Sequence, residues 1–315
     1  MVRQISNRAF PPMTAAEQAR GQRVGLAMAL GVFVAWGIFP SYFKLLAGVP
    51  ALEVLSHRIV WSAVFMAVVL PLGGGVGDFR RAIRDGRVVA LIGLSALLIG
   101  VNWLTYVSTI ATGHVLEASL GYFLTPLVNV AFGRLVLGER LTPLQGFACL
   151  LAIAGVAALA LGTEGEIWRA IVLAISFGCY GLVRKTVRVE ALPGNALECF
   201  VLVPFAATYL VWCAGQGTSH FGPVVPGLSI LLALSGVITA VPLIAFAAAA
   251  RRLKLSTLGL MQFVTPSLAF LLGVLVYGEP FGPAKLACFA AIWAALALYA
   301  RETIRLARAP SVRPA

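Results

Sequence analysis

Residues 123–143 read FLTPLVNVAFGRLVLGERLTP, and residues 263–283 read FVTPSLAFLLGVLVYGEPFGP. At an offset of 140 positions, Phe123 matches Phe263, Thr125 matches Thr265, Pro126 matches Pro266 and Gly133 matches Gly273. Leu135, Val136, Gly138, Glu139 and Pro143 likewise match Leu275, Val276, Gly278, Glu279 and Pro283. Nine of 21 positions agree, whereas a composition this biased matches by chance at about a tenth of positions. Each stretch is an apolar run with a proline near its start and Gly-Glu at its end, so one unit occurs twice. The front parts of the two units agree more weakly, through Phe33 with Phe177 and Gly37 with Gly181.

Eight more apolar runs surround these two, each marked off by Gly, Pro or charge. The ten lie at about 24–46, 52–72, 88–110, 115–137, 143–161, 167–183, 196–213, 228–250, 255–277 and 283–300. A bilayer-spanning helix needs about 20 mostly apolar residues, so ten runs use most of the 315 residues and leave short loops and two tails. The chain is 60% hydrophobic and only 11% charged, with a mean hydropathy of +0.93. A soluble domain is nearer 45–50% apolar and about 25% charged, so a water-soluble globule is excluded, and so is disorder. An outer-membrane barrel would alternate apolar and polar residues, and these runs are continuous. The first run exceeds the core of about 7–15 residues in a secretory signal and is followed by no cleavage pattern, so it is expected to stay as a helix. The expected fold is an all-α integral membrane protein with ten transmembrane helices.

The net charge of +12 comes from 24 Lys and Arg against 12 Asp and Glu. Nineteen of the 24 fall in the two tails and in alternate loops: Arg3, Arg8, Arg20 and Arg23; Arg80, Arg81, Arg84 and Arg87; Arg140; Arg184, Lys185 and Arg188; Arg251, Arg252 and Lys254; Arg301, Arg305, Arg308 and Arg313. The intervening loops carry none. Basic loops resist translocation, so this pattern places both termini in the cytoplasm and makes the charge a record of topology rather than a nucleic-acid footprint. The five cysteines stand singly in apolar runs and read as small buried hydrophobes, neither a disulfide framework nor a zinc site.

Five runs per unit is an odd number, so the second unit enters the bilayer from the side opposite to the first. Two inverted five-helix repeats are the usual build of secondary carriers, which hold their substrate near the midplane between the copies. The expected organisation is a cytoplasmic tail at 1–23, a first repeat at 24–161, a second at 162–301 and a cytoplasmic tail at 302–315.

Polar and ionisable residues within apolar runs are costly in lipid, so they should face the bundle or a wet cavity. Lys44 ends the first run, where its stem either snorkels or supplies a pathway cation. His57 and Arg58 sit one turn into the second run, and Glu53 precedes His57 by four residues on the same face, suited to an ion pair or a proton relay. Arg58 suits bidentate capture of a carboxylate or phosphate. Asn102, Trp103 and Tyr106 share the third run, where Asn102 either lines a pathway or bonds a neighbouring helix. Glu117 in the first turn of the fourth run either offsets the helix dipole or titrates. Pro126 and Pro266 remove a helical hydrogen bond at matching places, freeing the carbonyls of Tyr122 and Gln262; such helix breaks offer backbone groups to substrates in carriers, or are plain kinks. Tyr122, Tyr180 and Tyr106 would supply aromatic walls, with Arg184 a further basic contact and Gln262 an orienting amide. His57 or Glu117 would carry a coupling proton. Gly138-Glu139 and Gly278-Glu279 read as structural stops.

Signals for soluble chemistry are absent: there is no phosphate-binding glycine loop, no paired-histidine motif and no nucleophile elbow. No cofactor or metal is expected, and the partners are the lipid bilayer, a small-molecule substrate and a coupling proton. The alternative class is an intramembrane enzyme or a scaffold acting on lipid phosphates, for which the sequence shows no nucleophile or carboxylate pair.

The strings AWGIFPSYFK at 35–44, HRIVWS at 57–62, LIGVNW at 98–103, LEASLGYFLTPLVN at 116–129, LGERL at 137–141, YGLVRK at 180–185 and LSTLGLMQF at 255–263 carry a further signal. Over about residues 21–301 the chain resembles the RarD-like branch of the EamA family, within the drug/metabolite transporter superfamily. The resemblance implies a ten-helix bacterial inner-membrane permease, not an enzyme, that moves small metabolites or drugs by alternating access. Chloramphenicol-like compounds and amino-acid-like solutes are the substrates it suggests.

Overall fold

Continuous apolar sequence with no water to satisfy its backbone folds as helix, because every N–H and C=O is then bonded within the segment. The computed structural model describes residues 15–46, 48–111, 115–161, 168–223, 225–276 and 283–308, and all regular structure among the described residues is helical. In chain order the helices are α1 (Ala15–Lys44), α2 (Ala51–Leu72), α3 (Val76–Arg84), α4 (Gly86–Ala111), α5 (Val115–Leu135) and α6 (Pro143–Leu161). They continue with α7 (Trp168–Thr186), α8 (Ala191–Gly215), α9 (Pro226–Arg252), α10 (Leu255–Met261), α11 (Val264–Leu275) and α12 (Pro283–Arg308). Six helices, α1, α2, α4, α8, α9 and α12, contain segments long and apolar enough to cross a membrane, and α6 is a shorter apolar helix.

Two features depart from the ten-run reading. The first is α3, a short helix in the loop after the second run, which carries Arg80, Arg81 and Arg84 and packs against α4 and α8. Its Phe79 meets Phe200 edge-on at 5.8 Å, and Ala82 is buried, so this segment is docked rather than looped out. The second is the division of the ninth run into α10 and α11 at Gln262 and Phe263. Pro266 has no N–H to offer the Gln262 carbonyl, and the Thr265 N–H takes it instead at 3.1 Å. The carbonyl expected to be free is therefore occupied. In the matching place α5 runs unbroken through Pro126.

The helices pair in a regular scheme. α5 packs on α7 as α1 packs on α11; α4 packs on α7 as α1 packs on α9; α2 packs on α9 as α4 packs on α8. The pairs α2 with α8, α6 with α12 and α5 with α10 complete it. Close approach depends on glycine at two crossings. A Cβ at Gly259 of α10 would lie 2.7 Å from both the Asn129 Cβ and the Pro126 carbonyl of α5. A Cβ at Gly236 of α9 would collide with the Trp61–Ser62 backbone of α2, where the Ser62 hydroxyl donates to the Gly236 carbonyl at 2.9 Å.

Where the basic loops emerge, helix ends are tied together. Glu139, just after α5, accepts the N–H groups of Leu255 at 2.6 Å and Ser256 at 3.0 Å, and the Ser256 hydroxyl at 2.6 Å. A carboxylate there satisfies orphan donors at the start of α10 and suits the helix dipole. Lys185 donates to the Ala250 carbonyl at 3.1 Å and to that of Leu253; Arg251 donates to the Val189 carbonyl and, at 2.9 Å, to Glu190.

Candidate functional site

Arg58 lies on α2 and is half-buried among aromatic rings. Its guanidinium carbon is 5.1 Å from the Phe43 ring centroid of α1 and 4.9 Å from that of Trp103 on α4, within cation–π range. Its Nε–H donates to the Thr239 hydroxyl of α9 at 2.9 Å. Tyr42, Tyr106 and Tyr122 lie near the same cation, and the Tyr106 and Tyr122 rings meet at 5.4 Å and 69°. Four long helices and α5 thus converge on one guanidinium. Tyr122 keeps 40% of its surface accessible. A cation fixed between flat faces in a place solvent reaches is suited to hold an anionic group beside an aromatic body.

A narrow crevice continues from this site between α2, α4, α8 and α9, lined among others by Ser62, Trp103, Asn195, Glu198 and Thr239. Trp103 and Thr239 therefore touch both Arg58 and the crevice. At its other end the Glu198 carboxyl, 3% exposed, accepts the Ser95 hydroxyl of α4 and, at 3.4 Å, the Asn195 amide, and faces Arg184 Nε of α7 at 3.6 Å.

Residues 23–161 match the model of the EamA-like transporter family. Protein RarD of Escherichia coli (strain K12) is 44% identical over 294 residues, covering 93% of this chain and 99% of the relative. The chain belongs to the EamA-like transporter family. Chloramphenicol-sensitive protein RarD of Pseudomonas aeruginosa is 35% identical over 288 residues, covering 90% and 96% of the two chains. An uncharacterized transporter of Vibrio cholerae serotype O1 is 46% identical over 286 residues, covering 90% and 94%. A solved crystal structure superposes with a TM-score of 0.70 at 19% identity, over 90% of this chain and 99% of that one, which shows a shared fold. This EamA-like chain is accordingly a multi-pass membrane protein.

Of the residues singled out from sequence, the EamA-like fold brings Arg58, Trp103, Tyr106 and Tyr122 together and holds the others elsewhere. Asn102 bridges helices: its amide donates to the Leu173 carbonyl at 2.8 Å and the Ser176 hydroxyl at 3.0 Å on α7. Gln262 is buried and accepts the Asn129 amide of α5 at 3.0 Å, which makes it a clamp at the α5–α10 crossing. His57 is buried against Phe221, rings stacked at 4.9 Å, and its Nε2 is 4.0 Å from Glu53. Glu53 is engaged instead by the loop before α9, accepting the His220 N–H at 2.7 Å and lying 2.8 Å from His220 Nδ1. Tyr180 is fully buried in a ring cluster, stacked on Phe246 at 5.8 Å. Arg184 is not in a loop, because α7 extends to Thr186 and turns it inward, 1% exposed, toward Glu198. Lys44 is exposed at the end of α1. Pro126 and Pro266 lie inside α5 and α11. The side chain of Glu117 and the pair Gly278-Glu279 lie outside the described residues.

Glu198, Thr239 and Phe43 went unnoticed in the sequence. Glu198 stands four residues after Gly194 of the Pro193-Gly194 pair, near the start of the run at 196–213. Only its place inside an apolar run marked it.

Proposed function

We propose that this protein is a bacterial inner-membrane secondary transporter. It moves small solutes that combine an oxygen acceptor for a guanidinium, a carboxylate in amino-acid-like solutes or a nitro or amide group in chloramphenicol-like ones, with an aromatic or apolar body. The observation that carries this is the Arg58 guanidinium held between Phe43 and Trp103 with its Nε–H taken by Thr239. Thr239 fixes the side chain and leaves the other guanidinium donors for a ligand, while Tyr106 and Tyr122 offer faces and hydroxyls. The name of the Pseudomonas aeruginosa relative, chloramphenicol-sensitive protein RarD, supports the aromatic part of the substrate class.

Alternating access between two inverted five-helix repeats, at 24–161 and 162–301, is the mechanism we infer. Its support is the 140-residue sequence repeat together with the pairing scheme. Exchanging α1 with α7, α2 with α8, α4 with α9, α5 with the α10–α11 pair and α6 with α12 returns the principal helix pairings described above. Ten crossings in this reading put both termini and the basic loops in the cytoplasm. The ties made by Glu139, Lys185 and Arg251 then close the cytoplasmic end, and Arg58 faces the other side. The test is flux in proteoliposomes holding the purified protein, with labelled amino acids, their amides and chloramphenicol as the panel. Saturable, protein-dependent flux of a member of this class is expected; rates equal to protein-free vesicles across the panel overturn the reading.

A further inference from the structure

Outside the Arg58 site and the Glu53–His220 contact, a further charged constellation is buried that transport by charge capture does not use. Glu198 lies in the second turn of α8 at 3% exposure, and Arg184 lies opposite on α7 at 1%. Removing a carboxylate and a guanidinium from water costs several kcal/mol each and is offset only when geometry and additional hydrogen bonds are good. Here they are incomplete. The nearest approach is 3.6 Å, Arg184 Nη2 is committed to the Ala191 carbonyl at 3.1 Å, and Arg184 Nε and Nη1 are buried without a hydrogen bond.

The groups that face Glu198 are few. α7 contributes Arg184 and the buried hydroxyl of Tyr180; α8 itself contributes Asn195 and the Cys199 thiol; α4 contributes the Ser95 hydroxyl. From α2 and α9 the crevice receives Ser62 and Thr239, which carry no charge. One carboxyl therefore faces one cation, with uncharged hydroxyl, thiol and amide groups around it. Arg184 is anchored by the Ala191 carbonyl and packs on the bare backbone of Gly194, so it stays in place whether or not the carboxyl is charged. The crevice joins Glu198 to Trp103 and Thr239, two of the residues that hold Arg58.

We propose that Glu198 is the coupling-proton site of this transporter, in place of the His57 and Glu117 that the sequence favours. The carboxylate oxygen takes a proton from water entering the crevice and forms an O–H bond; on release the proton returns to water, the O–H electron pair stays on the oxygen, and Arg184 remains protonated throughout. In the charged state Glu198 draws α8 to Arg184 of α7. In the neutral state that attraction is gone, and the Glu198–Arg184 link between α8 and α7 is released while Arg58 keeps its charge. The proposal rests on the transporter reading and deepens it.

Infrared difference spectra of the full-length protein in lipid, recorded in heavy water as pH is lowered, report a carboxyl group becoming protonated without any substrate. The chain has twelve Asp and Glu, so the readout is one component of the carboxylic-acid band, expected in the wild type, missing in Glu198→Gln, shifted in Glu198→Asp and kept in Glu53→Gln. A band of undiminished intensity in Glu198→Gln, or no titrating band in the wild type, overturns the assignment. Should Glu198→Gln not fold, Glu198→Asp decides: a band at the wild-type position overturns it. In proteoliposomes, a pH gradient should concentrate whichever panel solute the wild type carries, and this accumulation should be lost in Glu198→Gln; accumulation equal to wild type refutes coupling through this residue. If the wild type carries no panel solute, the transporter reading fails, while the infrared bands still decide whether Glu198 takes up a proton.

Discussion

Replacing Arg58 with methionine removes one charge and keeps most of the side-chain volume. The magnitude follows from what surrounds it. Phe43 at 5.1 Å and Trp103 at 4.9 Å each contribute about 0.5–2 kcal/mol of cation–π attraction to holding the guanidinium. Thr239 at 2.9 Å adds about 1 kcal/mol. These interactions fix the cation, and their loss is countered by relief from burying a charge, so folding should change little. Binding is different. A substrate carboxylate gains charge-assisted hydrogen bonds of about 1.5–3 kcal/mol from the fixed cation, which at about 1.4 kcal/mol per decade is roughly 10–150-fold in half-saturation. An amide of the same shape gains little of this. The measurement is therefore the ratio of transport efficiency for an acid and its amide, in wild type and in Arg58→Met, alongside a thermal unfolding midpoint in detergent. The ratio should fall by one to two decades with the midpoint nearly constant. An unchanged ratio at an unchanged midpoint would refute the assignment of Arg58 as the anion contact.

Three further outcomes are expected. Glu139→Ala strips the start of α10 of three hydrogen bonds and should lower stability by about 1–3 kcal/mol, with faster amide exchange at Leu255 and Ser256 as the local readout. Gly259→Leu drives a side chain into the Asn129 Cβ and Pro126 carbonyl, so a loss of at least about 1–3 kcal/mol should appear as a lower unfolding midpoint; an unchanged midpoint would show that α5 and α10 separate readily. Glu53→Ala releases the loop held through His220, and limited proteolysis should then cut between α8 and α9 faster than in wild type.

Apolar length and flanking charge made the helices legible, because they are local quantities. Run 52–72 is α2, Ala51–Leu72, and run 143–161 is α6, Pro143–Leu161. α3 was hidden because its arginines read as loop, and its docking depends on Phe200 in a helix more than 100 residues away. Arg58, Trp103, Tyr106 and Tyr122 were found because polarity inside an apolar run is visible one residue at a time. What joins them is not visible that way: the ring that completes the cage, Phe43, is an ordinary apolar residue in sequence. Gln262 and Asn102 show the converse. Both are conspicuous in an apolar run, and both are spent on partners, Asn129 and Ser176, that lie 133 and 74 residues away. Partner choice across helices follows no period, so the sequence could name the polar residues without saying which face one another.

The ties at the basic end have an asymmetry with an evolutionary consequence. Lys185, Arg251, Arg252 and Lys254 all reach main-chain carbonyls, those of Ala250, Leu253, Val189, Ala248 and Arg140. A backbone oxygen survives any substitution of the residue that bears it. The acceptor positions are thus constrained by packing, since Ala250, Leu253, Val189 and Ala248 are buried, and not by the bond itself, while each donor is exposed to loss by a single codon change. A mutational scan of this face should be loud at the four donors and should respond at the buried acceptors to side-chain size alone, and compensating pairs of changes, the usual trace of an ion pair in a lineage, should be missing between them.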